Sequence, residues 1–306
     1  MWSVDPWQIA LAVALDLVLG DPLGWPHLTR GFGFLISIFE KQLAKSCGRT
    51  VLAGALLWLV VCWGGLGILA ILHHYSWGLG RWLLEVFVIY QCIAAMDLQR
   101  HAVRVLRPLR EKRLEEARQE LSAIVGRDTA HLDESEISRA TIESVAESAC
   151  DAFVAPLFWT VFLGAPGALI YRATNTLDSM VGHRTPEHEK IGKWSARADD
   201  VLSFVPARLV ALMSALVFGI SRWNQIAADA VKHKSPNAGW GEAACAYALN
   251  LRLGGDNTYG GELHRGEVFH ASAPKPLADD ITRCLRWHWA ITIFSTLLFC
   301  SIKIWL

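Results

Sequence analysis

The chain lacks the devices that hold small secreted domains together. Its seven cysteines, Cys47, Cys62, Cys92, Cys150, Cys245, Cys284 and Cys300, include no C-x-x-C pair and fall mainly in or beside apolar stretches. That pattern excludes a zinc ribbon or a disulfide framework and reads as small buried hydrophobes. Net charge is also missing: 29 Lys and Arg balance 29 Asp and Glu over 306 residues. With no global field to gather a polyanion, nucleic acid is not an expected partner. No internal repeat or low-complexity tract is visible, so residues 1–306 read as a single domain. There is no Walker loop and no G-x-G-x-x-G fingerprint. Met1 to Trp7 carries no basic residue, and the apolar run Ile9 to Leu19 is broken by Asp16, which makes a poor signal peptide.

What is abundant is apolar sequence. Hydrophobic residues make up 53% of the chain and charged residues only 19%, so part of the surface is expected to face lipid and part to face water. Val51 to Leu72 has no charge and follows Lys41, Lys45 and Arg49; at ~1.5 Å per residue it matches a ~30 Å hydrocarbon core. Leu79 to Met96 is a second expected span, with Arg81 and Glu85 at i,i+4 where they are expected to pair. Val201 to Ile220 and Trp287 to Leu306 are two more. Ala152 to Tyr171 is uncharged but holds Pro156, Gly164, Pro166 and Gly167, the signature of a kinked span or of a re-entrant pair of half-helices. The expected fold is therefore all-α, a multi-pass integral membrane helical protein with polar helical insertions and a candidate re-entrant segment.

Three wet segments, 97–151, 172–200 and 222–286, carry the polar residues and are expected to form the active site. All three are rich in Arg and Lys, and the positive-inside tendency places them in the cytoplasm. If every apolar run crossed, the second would lie opposite the other two, so Ala152 to Tyr171 is expected not to cross fully. The first segment opens on Arg100, Arg104, Arg107 and Arg110, a basic helix face suited to anionic headgroups.

Candidate chemistry sits where these segments meet the apolar runs. A helix over Ile137 to Asp151 would set Arg139, Glu143, Glu147 and Asp151 in one i,i+4 stripe. Carboxylates that close, at a boundary of falling dielectric, call for a cation, and hard oxygen ligands favour Mg²⁺ shared with a phosphate. The plainer alternative is a solvated face on which Arg139 balances Glu143. Asn175, Asp178 and Ser179 follow Arg172 in the next block, and Lys193-Trp-Ser-Ala-Arg-Ala-Asp-Asp200 places Ser195, Arg197, Asp199 and Asp200 before another apolar run. Ser195 and Arg197 suit phosphate oxygens, the acids a metal. Arg208, inside an apolar run, needs an acid or an anionic substrate, and a structural Asp–Arg clasp is its plainer reading. His183 and His188 flank Pro186 and do not make a zinc pair, and His27 reads as a turn residue. Ser235-Pro-Asn237-Ala-Gly239 reads as a capped helix start, with Ser235 or Asn237 open to its N–H groups, and helix starts and the glycine-rich Leu253 to Glu262 accept anions.

Taken together the blocks resemble the CobD/CbiB family, the adenosylcobinamide-phosphate synthases. The matching stretches run in order over nearly the whole chain: Leu15-Asp-Leu-Val-Leu-Gly-Asp-Pro22 with Pro26-His27 and Arg30; Gly126-Arg-Asp-Thr129; Arg139-Ala-Thr-Ile-Glu-Ser144 through Asp151; Pro156-Leu-Phe158; Asn175-Thr-Leu-Asp-Ser-Met180; Ser195-Ala-Arg197 with Asp199-Asp200 and Pro206-Ala-Arg208; Ser235-Pro-Asn-Ala-Gly239; Leu253-Gly-Gly255; and Tyr259-Gly260. The family pattern would place Asn at Ser148, Gly at Ala152 and more often Lys at Arg172. The resemblance implies a bacterial inner-membrane enzyme, its active site facing the cytoplasm, with ATP-dependent amide formation between adenosylcobyric acid, the corrinoid substrate, and (R)-1-amino-2-propanol phosphate. It implies Mg²⁺ and ATP, with the lipid bilayer and other membrane enzymes of late cobalamin synthesis as surroundings. Within it, Glu143, Glu147, Asp151, Asp178, Asp199 and Asp200 are candidate metal ligands, one of them free to act as base. Glu143, Glu147, Asp178, Arg197, Asp199 and Asp200 are candidate catalytic residues. Arg172, Lys193, Arg197 and Arg208 are candidate phosphate clamps, and Asn175, Ser195, Ser235, Asn237 and Gly239 further binding residues. Two other readings stand beside it. One is a Mg²⁺-dependent membrane phospho-alcohol transferase, whose usual Asp-Gly-x-x-Ala-Arg spacing is absent; the other is a non-catalytic membrane transporter or sensor.

Overall fold

A computed structural model describes residues 2, 4–22, 24–182 and 188–306; His183 lies outside them. Five helical stretches are long and apolar enough to cross a membrane: Val51–Tyr75, Gly78–Arg110, Glu134–Val181, Lys193–Val217 and Ala278–Trp305. Each of the five apolar runs in the sequence falls within or largely within one of them. The protein is a multi-pass helical membrane protein, and its only strands among the described residues are four of two or three residues. The chain divides into two compact units, residues 1–94, 151–203 and 296–306 in the first, and residues 95–150 and 204–295 in the second.

In the first unit, α1 (Pro6–Leu19) begins with a capping box, Asp5 accepting from the Gln8 N–H while Gln8 reaches back to the Asp5 N–H. It is followed by α2 (Leu28–Cys47), α3 (Val51–Tyr75) and α4 (Gly78–Cys92). Only 28% of the apolar window of α3 is buried, and Leu52, Trp63, Ile68 and Ile71 face outward. A helix apolar on all sides and this exposed requires lipid as its solvent. The expected Arg81–Glu85 pair does not form. Glu85 turns inward, where its carboxylate accepts from Gln8 Nε2 at 2.7 Å and lies 3.2 Å from His73 Nε2. Arg81 stays at the surface and donates to the Ser76 carbonyl. A buried carboxylate needs partners inside the protein, and α1 and α3 supply them.

The second unit begins with α5 (Ala95–Arg110), α6 (Leu114–Ser122) and α7 (Glu134–Ala149). α7 opens on the Asp133–Glu136 capping box. A π-helical turn follows over Cys150–Val154, and from Asp151 the chain is back in the first unit, which holds α8 (Ala155–Val181). Within α8, Gly164 sits at φ 68°, ψ −158°, a region essentially reserved for glycine. Its missing Cβ also leaves room for the Trp2 carbonyl, 2.9 Å from where that atom would lie. With Pro166 two residues on, this is the interruption the sequence places in Ala152–Tyr171. α9 (Lys193–Val217), α10 (Trp223–Ala230) and α11 (Ala238–Leu249) come next. Two small antiparallel pairs then form, β1 (Leu253–Gly254) with β4 (Val268–Phe269) and β2 (Asn257–Tyr259) with β3 (Glu262–His264). α12 (Ala278–Trp305) closes the fold. Five cysteines are buried, Cys300 is half-buried, Cys47 is exposed, and none forms a disulfide.

Candidate functional site

In the first unit α8 and α9 carry most of the candidate residues. Asn175 and Asp199 are joined by a hydrogen bond from Asn175 Nδ2 to Asp199 Oδ1 at 3.3 Å. Asp151, Asp178 and Asp200 all lie within electrostatic reach of Asp199. Tyr171, fully buried on α8, donates its hydroxyl to Asp151 Oδ1 at 3.2 Å and lies 3.0 Å from Ser203 Oγ. Ser203 in turn lies 3.4 Å from Asp199 Oδ2, so two hydroxyls connect Asp151 to Asp199 in a continuous line. Asp151 stands past the end of α7, in the π-turn at Cys150–Val154, where the four-residue register changes.

Lys193, Arg197 and Asp200 stand at i, i+4 and i+7 on α9, one helix face. With Lys190, Glu189, Gly182, Val51 and Ala196 they line a cavity of about 600 Å³. Lys193 and Arg197 are exposed to it and hold no side-chain acceptor among the described residues. Ser195 falls on the opposite face, fully buried, its hydroxyl without a partner among the described residues. Arg172, on α8, is 8% exposed and its Nε has no acceptor among them. Near it, His27 caps α2 and its Nε2 lies 2.7 Å from Asp21 Oδ1, the turn role expected for His27. Burial would raise the Asp21 carboxyl, but the His27 hydrogen bond and the charges of His27, Arg172 and Arg30 hold it below its usual range.

In the second unit the expected Arg139–Glu143 pair forms at 3.2 Å, and it is part of a larger clamp. Arg127 Nη2 reaches Glu143 Oε2 at 2.8 Å, and the Gly254 N–H donates to Glu143 Oε1 at 2.7 Å. Arg139 also donates to the Gly254 and Asp256 carbonyls and to Asn257 Oδ1, and Arg127 donates to Asn257. Both oxygens of Glu143 are therefore engaged in fastening the glycine-rich segment to α7. Asp128 completes the fastening by accepting from the Gly260 and Gly261 N–H groups. Glu147 is exposed and lies in the field of His233, Glu143 and Arg127. Glu242 on α11 faces the same group. Burial first, then Glu143 and Glu147, push its carboxyl well above the usual range, against the pull of Arg127 and Arg139.

Arg208, Ser235, Asn237 and Gly239 lie in the second unit. Arg208 has no acid partner among the described residues. Its guanidinium donates to the Phe204 carbonyl at 2.7 Å, to Asn237 Oδ1 at 3.3 Å and to the Pro236 carbonyl at 3.4 Å. It also lies over the rings of Phe204 and Trp240 at 3.4 and 4.9 Å, so carbonyl dipoles and π faces replace the expected Asp–Arg clasp. Ser235 Oγ accepts from the Asn237 and Ala238 N–H groups at the start of α11, the cap expected there. Gly239 lets α11 approach α10, because a Cβ would meet the Ala230 carbonyl at 2.3 Å. Sequence reasoning did not single out Arg127, Tyr171, Ser203, Glu242 or Asn257 as site residues. Arg127 and Asn257 carried a local signal, their places in the Gly126–Thr129 turn and in the glycine-rich Leu253–Glu262.

Among the described residues no group of three or more His, Cys, Asp or Glu is gathered closely enough to hold a metal ion alone. The oxygen donors at Asp199, Asp200 and Asp178 nonetheless suit Mg²⁺, which typically takes one or two carboxylates and completes its shell with water and substrate phosphate.

The family model for CobD/Cbib protein matches residues 9–288. Cobalamin biosynthesis protein CobD of Klebsiella pneumoniae is 40% identical over 309 residues, covering 97% of both chains. Cobalamin biosynthesis protein CbiB of Salmonella arizonae is 39% identical over 310 residues, again 97% of both, and CbiB of Salmonella typhimurium is 39% identical over 299 residues, 93% of both. No solved structure matches. Similarity of this extent, spanning both units and every block of candidate residues, assigns the chain to the CobD/CbiB family.

Proposed function

We propose that this protein is a membrane enzyme of cobalamin biosynthesis that uses ATP to join the free carboxyl of adenosylcobyric acid to the amine of (R)-1-amino-2-propanol phosphate. Family membership supports the pathway. The observation that carries the chemistry is the cavity on α9, where Lys193 and Arg197, without a side-chain acceptor among the described residues, stand beside Asp200, next in sequence to Asp199.

A carboxylate is a poor electrophile. Amide formation becomes feasible when a carboxylate oxygen attacks the γ-phosphorus of ATP, releasing ADP; the amine then attacks the acyl carbon and inorganic phosphate leaves with that oxygen. Charge developing on the transferring phosphoryl group is met by Lys193 and Arg197, with Lys190 at the cavity wall. Mg²⁺, held by Asp199 and Asp200 or Asp178, would supply further neutralisation of phosphate charge. Asn175 orients Asp199 through its hydrogen bond. One carboxylate of the Asp151–Tyr171–Ser203–Asp199 line accepts the ammonium proton before attack. The arginine- and lysine-rich segments favour the cytoplasmic side of the inner membrane, where ATP is available.

Growth of a corrinoid auxotroph lacking its own family member, supplied with cobyric acid, tests the reading. The wild-type gene should restore growth and Asp199→Asn should not, while both proteins insert equally. Turnover of a CDP-alcohol by purified protein without corrinoid product would favour the phospho-alcohol transferase instead, and uptake of corrinoid without conversion the transporter.

A further inference from the structure

We propose that Arg172 and Arg30, with His27, form a separate phosphate subsite in the first unit that takes the phosphate monoester of the amine substrate. The choice of monoester rests on the ligase reading above; the anion site does not. Arg172 is the starting point. Its guanidinium offers five N–H donors, yet it is 92% buried, Nε has no acceptor, and no carboxylate comes within 4.0 Å among the described residues. A buried guanidinium left this way is costly unless an anion completes it. Asp21, whose carboxyl feels the Arg172 charge, is already held at 2.7 Å by His27.

The segment between α1 and α2 that brings these groups together is pinned in place. Tyr90 donates its hydroxyl to the Gly20 carbonyl at 2.6 Å, and the Leu28 N–H donates to Gln91 Oε1 at 3.1 Å. Arg30, in the first turn of α2, is exposed and has no side-chain acceptor among the described residues. Two guanidiniums and an imidazole against one carboxylate leave net positive charge and more donors than a carboxylate ligand would use. Three terminal oxygens of a phosphate match them better. Arg172 is too enclosed for a lipid phosphodiester with its acyl chains, which points to a small free phosphate monoester. Arg172 is not among the residues that line the Lys193–Arg197 cavity, so the nucleotide and the amine substrate are given different cations. One turn along α8, Asn175 links this subsite to Asp199.

The test uses full-length protein purified in phosphate-free, uncharged detergent. Its melting temperature is followed with a thiol-reactive dye as inorganic phosphate is added. Wild type should melt progressively higher with phosphate. Arg172→Met should melt no lower than wild type without phosphate, since it removes an uncompensated charge, and should respond to phosphate at least about tenfold more weakly. Arg172→Lys, which keeps the charge but loses the fork, should be intermediate, and guards against misfolding of the first variant. Lys234→Gln, at an exposed lysine of the second unit, should keep the wild-type response. The subsite is overturned if wild type gives no response, if both Arg172 variants respond fully, if Lys234→Gln abolishes the response, or if only phosphatidylglycerol vesicles shift the melt. Because no turnover is read, absence of amide product with an intact Arg172-dependent response strikes the ligase reading and leaves the anion site standing.

Discussion

Replacing Glu143 by alanine should unfold the second unit well before it affects any chemistry. Glu143 is 5% exposed, and its two oxygens satisfy the Gly254 N–H at 2.7 Å, Arg127 at 2.8 Å and Arg139 at 3.2 Å. Both arginine side chains are themselves only 13% exposed. Truncation therefore strands two half-enclosed guanidiniums and one backbone donor without opening a route for water to replace all three bonds. Removing one partner of such a buried charge pair costs ~3–5 kcal/mol. At ~2–4 °C per kcal/mol for chains of ~150–250 residues, the melting temperature should drop by roughly 6–20 °C. Five of the seven cysteines are buried, so a thiol-reactive dye reports the transition with no added label. Glu143→Gln, which keeps the shape and the Gly254 bond, should lose less. A Glu143→Ala protein that melts like wild type yet is inactive would refute the clamp and make Glu143 a residue of the chemistry.

Gly164→Ala should destabilise by ~1–3 kcal/mol because of its φ/ψ, whereas Gly64→Ala on α3, with nothing within 4 Å of the added methyl, should be neutral or stabilising; paired melts compare them. Burial tends to raise Asp229, but hydrogen bonds from the His270 N–H, Lys232 and Tyr247 win and hold its carboxyl below 3.8. The folded state then binds fewer protons there than the unfolded chain. Its stabilisation is complete above that value and fades as pH falls through the folded one, so an acid melt of Asp229→Asn should lack this part of the wild-type slope. Arg197→Gln should cut product formation at least ~10²-fold if its charge meets the transferring phosphoryl group, with insertion and melting unchanged.

Much of the architecture was legible because lipid imposes simple rules. α3 and the C-terminal half of α12 are continuous apolar runs, and the break in α8 is written in Gly164 and Pro166. The site was legible only where partners are close in sequence. Arg139 and Glu143 stand one turn apart, and Lys193, Arg197 and Asp200 share one face of α9 by spacing alone. Glu143 meeting Gly254 joins residues 111 apart in sequence, Arg127 meeting Asn257 joins residues 130 apart, and neither follows from periodicity. Nothing local announces the π-turn at Cys150–Val154, which changes the helical register between Glu147 and Asp151. Arg208 was expected to need an acid, since carbonyls and ring faces gathered by folding leave no pattern in sequence.

If the protein activates the corrinoid carboxyl at the expense of ATP, an oxygen of that carboxyl passes to inorganic phosphate. Adenosylcobyric acid bearing ¹⁸O in its free carboxylate, incubated with purified wild-type protein, ATP, Mg²⁺ and aminopropanol phosphate, tests it directly by mass spectrometry of the products. The expected result is amide product with one ¹⁸O from the carboxylate recovered in inorganic phosphate. Amide formed without ATP, or label retained wholly in the corrinoid, would contradict it.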